Sequence, residues 1–218
     1  MIWTKYGPNA LLFRFSEKVG DDAFHRGRAL AADLEERPPM GLVEFVPGIT
    51  TVLLEFDPTL VPDVESIAPE LAVRLKIGLK RRVPPAQLKE IPIIYDGPDL
   101  ERVASLNRLS VADVCRRHAA PLYKVYVLGF TPGFPYLGDL DRRIQTPRLA
   151  APRTRVPVGS VGIGGEHTGI YTVESPGGWN LIGRTPDKIF DPKRSTDESN
   201  RHSMFLLKPG DRVRFVPS

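Results

Sequence analysis

The sequence predicts a small α+β domain followed by a mostly-β domain. Three observations point there. The first 80 residues alternate strand-like and helix-like segments. A proline-rich break falls near residue 86. After Pro121, short β-prone runs are punctuated by glycine and proline, with 11 of the 19 glycines and 7 of the 22 prolines in residues 129–186. We accordingly place an α+β N-terminal domain at 1–86 and the β-rich domain at 87–218.

In chain order, Ala10–Phe15 and Gly41–Val46 are apolar enough for strands. Thr50–Phe56 is β-branched and bounded by Pro-Gly and Asp-Pro turns. Asp21–Glu36 opens with acidic residues, carries Phe24, Leu30 and Leu34 on one face, and stops before Pro38-Pro39, which predicts an amphipathic helix. Pro62–Leu79 predicts a second, with Val64, Ile67, Leu71, Leu75 and Leu79 three or four residues apart. Strand–helix–strand–strand–helix suggests helices packed on an antiparallel sheet. Val83-Pro84-Pro85-Ala86-Gln87 has linker chemistry, and Glu90–Tyr95 restarts with a strand. Two short helices follow at Asp99–Asn107 and Val111–His118, the second announced by Ser110 with Asp113 at capping-box spacing. Short strands are expected at Tyr123–Leu128, Ser160–Ile163, Gly169–Val173, Trp179–Ile182, Met204–Leu207 and Arg212–Val216, which means a barrel or a sandwich.

Composition narrows the function classes. Hydrophobic residues at 41% and charged residues at 26% describe a folded chain with a real core. No apolar stretch approaches the roughly 20 residues of a membrane helix, and the N-terminus has no signal-peptide pattern. The single cysteine, Cys115, excludes an internal disulfide and suits a reducing compartment, so the cytoplasm is the expected address. The net charge of +4 lies wholly in the second part: residues 1–89 hold 12 basic and 12 acidic residues, and 90–218 hold 18 and 14. No Lys/Arg run with interleaved aromatics appears, which argues against nucleic acid and leaves an anionic small molecule or an acidic partner surface. There is no GxxxxGK[ST] loop for ATP phosphates. His25, His118, His167 and His202 are scattered, and no metal site is expected.

The chemistry concentrates in three blocks: GFTPGFPYLGDL (Gly129–Leu140), TPRLAAPRTRVPVGSVGIGG (Thr146–Gly165) and TGIYTVESPGGWNLIGRTP (Thr168–Pro186). Each glycine also suits a barrel corner. Together, Gly164-Gly165, Gly177-Gly178 and Gly133 beside Arg148, Arg153, Arg155 and Arg184, with the hydroxyls of Ser160, Ser175 and Thr185, describe backbone N–H groups and guanidinium forks gathered for an oxyanion or carboxylate. Trp179 and Tyr171 suit its apolar side or the core. Glu174 and His167 are the candidate proton carriers, and both equally suit solvated turns.

The same three blocks resemble the kinase A inhibitor family, also called allophanate hydrolase subunit 1 and now largely the 5-oxoprolinase B-subunit family. That family reads approximately GFxPGFxYLGGL, PRxxPRxxVPxGSVGI and TGIYPxxSPGGWxxIGRT, in this order and at matching spacing. The resemblance runs from about Ile91 to the C-terminus and more loosely over the first 80 residues. Here Asp139 replaces the second glycine of YLGGL, Thr172 stands where proline is common, and Tyr95-Asp96-Gly97-Pro98 is a shorter link than usual. The resemblance implies a cyclophilin-like β-barrel for the second domain. It also implies a B subunit that works with the C and A subunits of a 5-oxoprolinase to open 5-oxo-L-proline to L-glutamate, with ATP as co-substrate of the complex. Two other readings come with it: an inhibitory binding module for a sensor histidine kinase, as one member is, and a carboxyltransferase lobe acting on a urea-like amide.

Overall fold

The computed structural model describes residues 1–18, 20–83, 85–195 and 203–218; Pro84 of the expected linker and His202 lie outside them. The chain divides into two compact units, Met1–Pro85 and Ala86–Ser218.

The first unit is a four-stranded antiparallel sheet with two helices. Its strands are β1 (Ile2–Lys5), β2 (Ala10–Arg14), β3 (Leu42–Pro47) and β4 (Thr51–Phe56), in the order β1-β2-β4-β3. Period-two alternation sets which side of β4 is buried: Val52, Leu54 and Phe56 are at most 1% exposed, and Leu11 and Phe13 lie beside them on β2. Helix α1 (Asp21–Glu36) supplies Leu30 and Leu34 to this core, and α2 (Val64–Gly78) supplies Leu71 and Leu75. Asp63 caps α2 by accepting the Glu65 N–H. The helices are also tied through Asp33, buried on α1, which pairs with Arg37 and with Arg81 at 3.2 Å. Gly78 lets them approach: a Cβ there would lie 3.0 Å from the Asp33 carboxylate. Strand β1 was not expected. Four residues with one half-buried side chain on a sheet edge leave little periodic signal.

The second unit is a seven-stranded sheet. Its strands are β5 (Leu88–Ile93), β6 (Tyr123–Leu128), β7 (Pro135–Gly138), β9 (Ser160–Gly164), β10 (His167–Ile170), β12 (Asn180–Arg184) and β13 (Arg212–Pro217), in the order β12-β9-β10-β7-β6-β13-β5. Every neighbouring pair is antiparallel except β13 with β5. Ile94, directly after β5, exchanges both backbone hydrogen bonds with Arg184 at 2.9 Å, so the two edge strands touch and the sheet is nearly closed. A separate two-stranded ribbon, β8 (Arg153–Val156) with β11 (Ser175–Gly177), stands beside it. Helices α3 (Leu100–Asn107) and α4 (Val111–Ala119) contribute Val103 and Val114 to the core, and the Ser110–Asp113 capping box forms as its spacing predicts. The chain is therefore mixed α/β, with four helices among the described residues, none long and apolar enough to cross a membrane. Two expected strands differ. Met204–Leu207 yields only a bridge from Phe205 to Phe190, and Gly169–Val173 is displaced to His167–Ile170 because Tyr171 turns away to bond Ser160 and Gly159.

His118 lies wholly buried inside this unit in a hydrogen-bonded chain. The Thr168 hydroxyl donates to the Gly162 carbonyl at 3.0 Å, so it accepts from His118 Nε2–H at 2.9 Å. His118 Nδ1 then accepts from the Tyr95 hydroxyl at 2.8 Å. Every polar atom of the neutral ring is satisfied, and burial lowers its pKa from 6.5 to about 3. In the unfolded chain the ring titrates near 6.5. The native state thus loses stability as the pH falls from there towards 3, by about 1.4 kcal/mol per pH unit, and the effect vanishes above neutrality. Denaturation midpoints at pH 7, 5 and 4 should fall with this slope. His118→Gln should flatten it, and an unchanged slope in that variant would exclude His118 as its source.

Candidate functional site

The ribbon and the end of β12 next to it gather most of the arginine–glycine residues. Register places Gly177 opposite Arg153 and Ser175 opposite Val156. Leu149 N–H donates to the Gly178 carbonyl at 2.7 Å, and Asn180 Nδ2 donates to the Pro147 carbonyl at 2.9 Å. Residues 147–153 are thereby strapped to residues 177–180. Arg153 is fixed from behind: Nη2 donates to Asp99 Oδ1 at 2.7 Å, and Nη1 reaches the Trp179 carbonyl at 3.5 Å. Asp99, 6% exposed, also accepts the Leu181 N–H at 2.7 Å. Asp99 and Asn180 were absent from the sequence expectation. Their work is positional, and an Asp before a helix signals a cap sooner than an arginine clamp.

Aromatic rings form the floor. The Arg148 guanidinium lies 5.8 Å from the centroid of the Trp179 ring, a cation–π arrangement on an exposed arginine. Trp179 belongs to a small core with Phe134, Tyr171 and Leu181 and meets Phe134 and Tyr136 edge-on at 5.4 and 5.7 Å. Gly164 exists for this ring: a Cβ there would lie 2.5 Å from the indole. Gly177 does the same for Tyr171, whose hydroxyl oxygen lies 2.3 Å from where a Cβ would sit. Burial raises the pKa of that hydroxyl, opposed by a hydrogen bond from the Trp179 backbone and the charges of Arg148 and Arg153. Gly165, at φ 64, makes the turn between β9 and β10. The product is a shelf of two guanidinium groups and one carboxylate lying over a layer of buried aromatic rings. Guanidinium forks and backbone N–H groups are the donors that an anion requires.

The other expected residues lie elsewhere. Arg184 is opposite Ser160 at the far end of β12, and its Nε donates to Asp96 at 2.8 Å on the surface. From Asn180 to Arg184, at about 3.3 Å per residue, the strand spans roughly 13 Å, so Arg184 and Arg153 do not converge. Thr185 remains at that far end, its hydroxyl accepting the Asp187 N–H. Glu174 is held outward by Arg155 at 2.7 Å. His167 stands edge-on to Tyr126 and Tyr136 at 6.5 and 6.4 Å, its Nδ1 buried without a partner among the described residues. Ser175 Oγ is likewise buried and unpartnered. The two candidate proton carriers are thus not brought to a common point with the arginines. Among the described residues no group of three or more His, Cys, Asp or Glu side chains gathers to hold a metal.

Comparison with known proteins places the chain among characterised relatives. The family model for the carboxyltransferase domain, subdomain C and D, matches residues 1–199. The 5-oxoprolinase B subunit of Bacillus subtilis is 37% identical over 229 residues, covering 96% of this chain and 90% of that protein. The 5-oxoprolinase B subunit of Escherichia coli O157:H7 is 43% identical over 194 residues, covering 86% and 83%. The crystal structure of TTHA0988 superposes with a TM-score of 0.82 at 42% identity over 96% of this chain, which spans only 40% of that longer one.

The packing account separates two glycines that look alike in sequence. Gly164→Ala forces a methyl into the Trp179 ring and should lower stability by about 1–3 kcal/mol. Gly178→Ala meets its nearest atoms at an ordinary 3.7 Å and should be nearly neutral. Thermal melts of both variants decide this, and equal shifts would overturn it.

Proposed function

The chain belongs to the carboxyltransferase domain, subdomain C and D, family and to its 5-oxoprolinase B-subunit members, and on that footing we propose how it contributes to the ATP-dependent opening of 5-oxo-L-proline to L-glutamate. A lactam is a weak electrophile. Transfer of the ATP γ-phosphoryl group to the lactam oxygen, with release of ADP, yields a species that water opens to glutamate and phosphate. ATP, 5-oxoproline and the phosphorylated species are all anionic, so the site needs cationic and N–H donors for phosphoryl and carboxylate oxygens. The observation that carries the reading is Arg148 over Trp179 beside the Asp99-fixed Arg153, next to the Gly177-Gly178 turn. This shelf is the proposed anion-binding contribution of the chain.

The shelf does not supply a full catalytic set. Asp99 is committed to Arg153 and Leu181, and Glu174 to Arg155. We assign the missing groups to the C and A subunits of a cytoplasmic complex. In the same reading, residues 87–218 are a cyclophilin-like barrel and 1–86 a separate α+β domain. Limited proteolysis should then cut first within Arg81–Gln87 and leave two protected fragments. Early cleavage inside either fragment would argue against that boundary.

The isolated chain should show no 5-oxoproline-dependent ATP hydrolysis, and adding the C and A subunits from the same organism should restore it. In the restored complex, Arg148→Ala should lower kcat/KM by roughly 10- to 100-fold, the worth of one charge-assisted contact of about 1.5–3 kcal/mol. Its melting temperature should hold, because Arg148 is exposed. Arg184→Ala should leave kcat/KM unchanged. Robust glutamate formation by the single chain would refute the shared-site reading, and equal effects of the two substitutions would move the site away from Trp179.

A further inference from the structure

Helix α3 brings a third guanidinium to the neighbourhood of the shelf. Asp99 stands at the N-cap position of α3 and Arg102 three residues on, so both side chains lie on one face of the helix. That face meets β12. Asp99 accepts the Leu181 N–H, and Arg102 Nε donates to Oδ1 of the preceding residue, Asn180, at 3.0 Å. The Asn180 amide in turn donates through Nδ2 to the carbonyls of Pro147 and Ile163, at 2.9 and 3.1 Å. Asn180 is fully buried and follows Trp179, while Arg148 follows Pro147. Arg102 is therefore one amide away from the segment that carries Arg148. It is one helical turn from the carboxylate that holds Arg153.

Only Nε of this guanidinium is engaged. Arg102 is exposed, and its Nη1 and Nη2 have no partner among the described residues. Neither Arg102 nor Arg148 forms an ion pair among those residues, whereas Arg153 is paired with Asp99. Arg102 thus raises the uncompensated positive charge from one to two. Helix stability does not ask for a cation here. The first turn of a helix, with its free N–H groups, favours acidic side chains and disfavours basic ones. A bound anion offsets that cost.

We propose that Arg102 completes a three-arginine site with Arg148 and Arg153, and that this site takes the phosphate chain of ATP rather than the carboxylate of 5-oxoproline. This rests on the reading of the shelf as the anion-binding contribution of the chain. A single carboxylate is satisfied by one guanidinium fork. A triphosphate spreads several charges along a row of phosphoryl groups and needs donors at separated points. Guanidinium groups on α3, at residue 148 and on β8 supply them from three different segments, tied to one another through Asn180 and Asp99.

The test is steady-state kinetics of the complex restored with the C and A subunits, varying ATP and 5-oxoproline in turn. Arg102→Ala should raise the KM for ATP at least about tenfold, the scale of one lost charge-assisted contact, and that for 5-oxoproline by less than about twofold. Arg102→Lys keeps the charge but not the Nε bond to Asn180, so it should recover much of the affinity for ATP. Inorganic tripolyphosphate should compete with ATP and not with 5-oxoproline, and less strongly in Arg102→Ala. A raised KM for 5-oxoproline with that for ATP unchanged overturns the proposal and gives the site to the lactam carboxylate. Equal losses in Arg102→Ala and Arg102→Lys, with lowered melting temperatures, overturn it by making Arg102 a support for Asn180. Unchanged constants in both variants overturn it while leaving the shelf of Arg148 and Arg153 standing. If Arg148→Ala also leaves kcat/KM intact, the shelf reading itself falls and the three-arginine site with it.

Discussion

Seven strands enclose a core only if the outermost two meet, and here they meet at the reciprocal backbone pair of Ile94 and Arg184. Two missing side chains permit it. A Cβ on Gly183 would lie 2.3 Å from the Ile94 carbonyl oxygen, and one on Gly97 equally close to that of Leu181. The link after β5 therefore runs against the backbone of β12 with no room for even a methyl group. Two residues later Asp99 bonds Leu181 through both its backbone N–H and its carboxylate, and its other oxygen receives Arg153. Closure of the sheet and orientation of the Arg153 guanidinium are one event, because a single buried carboxylate serves both.

The shelf carries little net charge, and the scaffold does the placing. Arg153 is neutralised by Asp99, which fixes the direction of its N–H donors. Arg148, resting on the Trp179 face, supplies the net positive charge. The rings are held edge-to-face by Phe134, itself 1% exposed, and glycines give them flat surfaces to lie on. In the proposed role, rigidity beneath the arginines spares an incoming anion the cost of ordering a loop.

Much of this was legible in the sequence, and the gaps have physical causes. Helix α1 begins and ends where its acidic start and following prolines place it, and the capping box at Ser110 forms as spaced. These features are local. Strand β11, Ser175-Pro176-Gly177, was not legible, because its residues favour turns and only pairing with β8 makes it a strand. The grouping of Arg148, Arg153, Gly177, Gly178 and Trp179 was read from proximity in three motif blocks, and it holds where hydrogen bonds strap those blocks together. It fails for Arg184, since an extended strand carries residues of one motif to opposite ends. Asp99 and Asn180 carried no signal, as their importance lies in what they hold.

Strand β13 sits between β5 and β6, pairing in parallel along the whole of β5 although more than a hundred residues separate them in the chain. A ribosome synthesising this protein therefore completes β5, α3, α4 and β6 long before their shared neighbour exists. Until Arg212–Pro217 emerge, β5 and β6 present unpaired backbone edges. The first unit, whose pairings all fall within its own 85 residues, meets no such delay. Birth order thus sets one half folding beside another that waits, and the interval is when chaperones would find the most to hold.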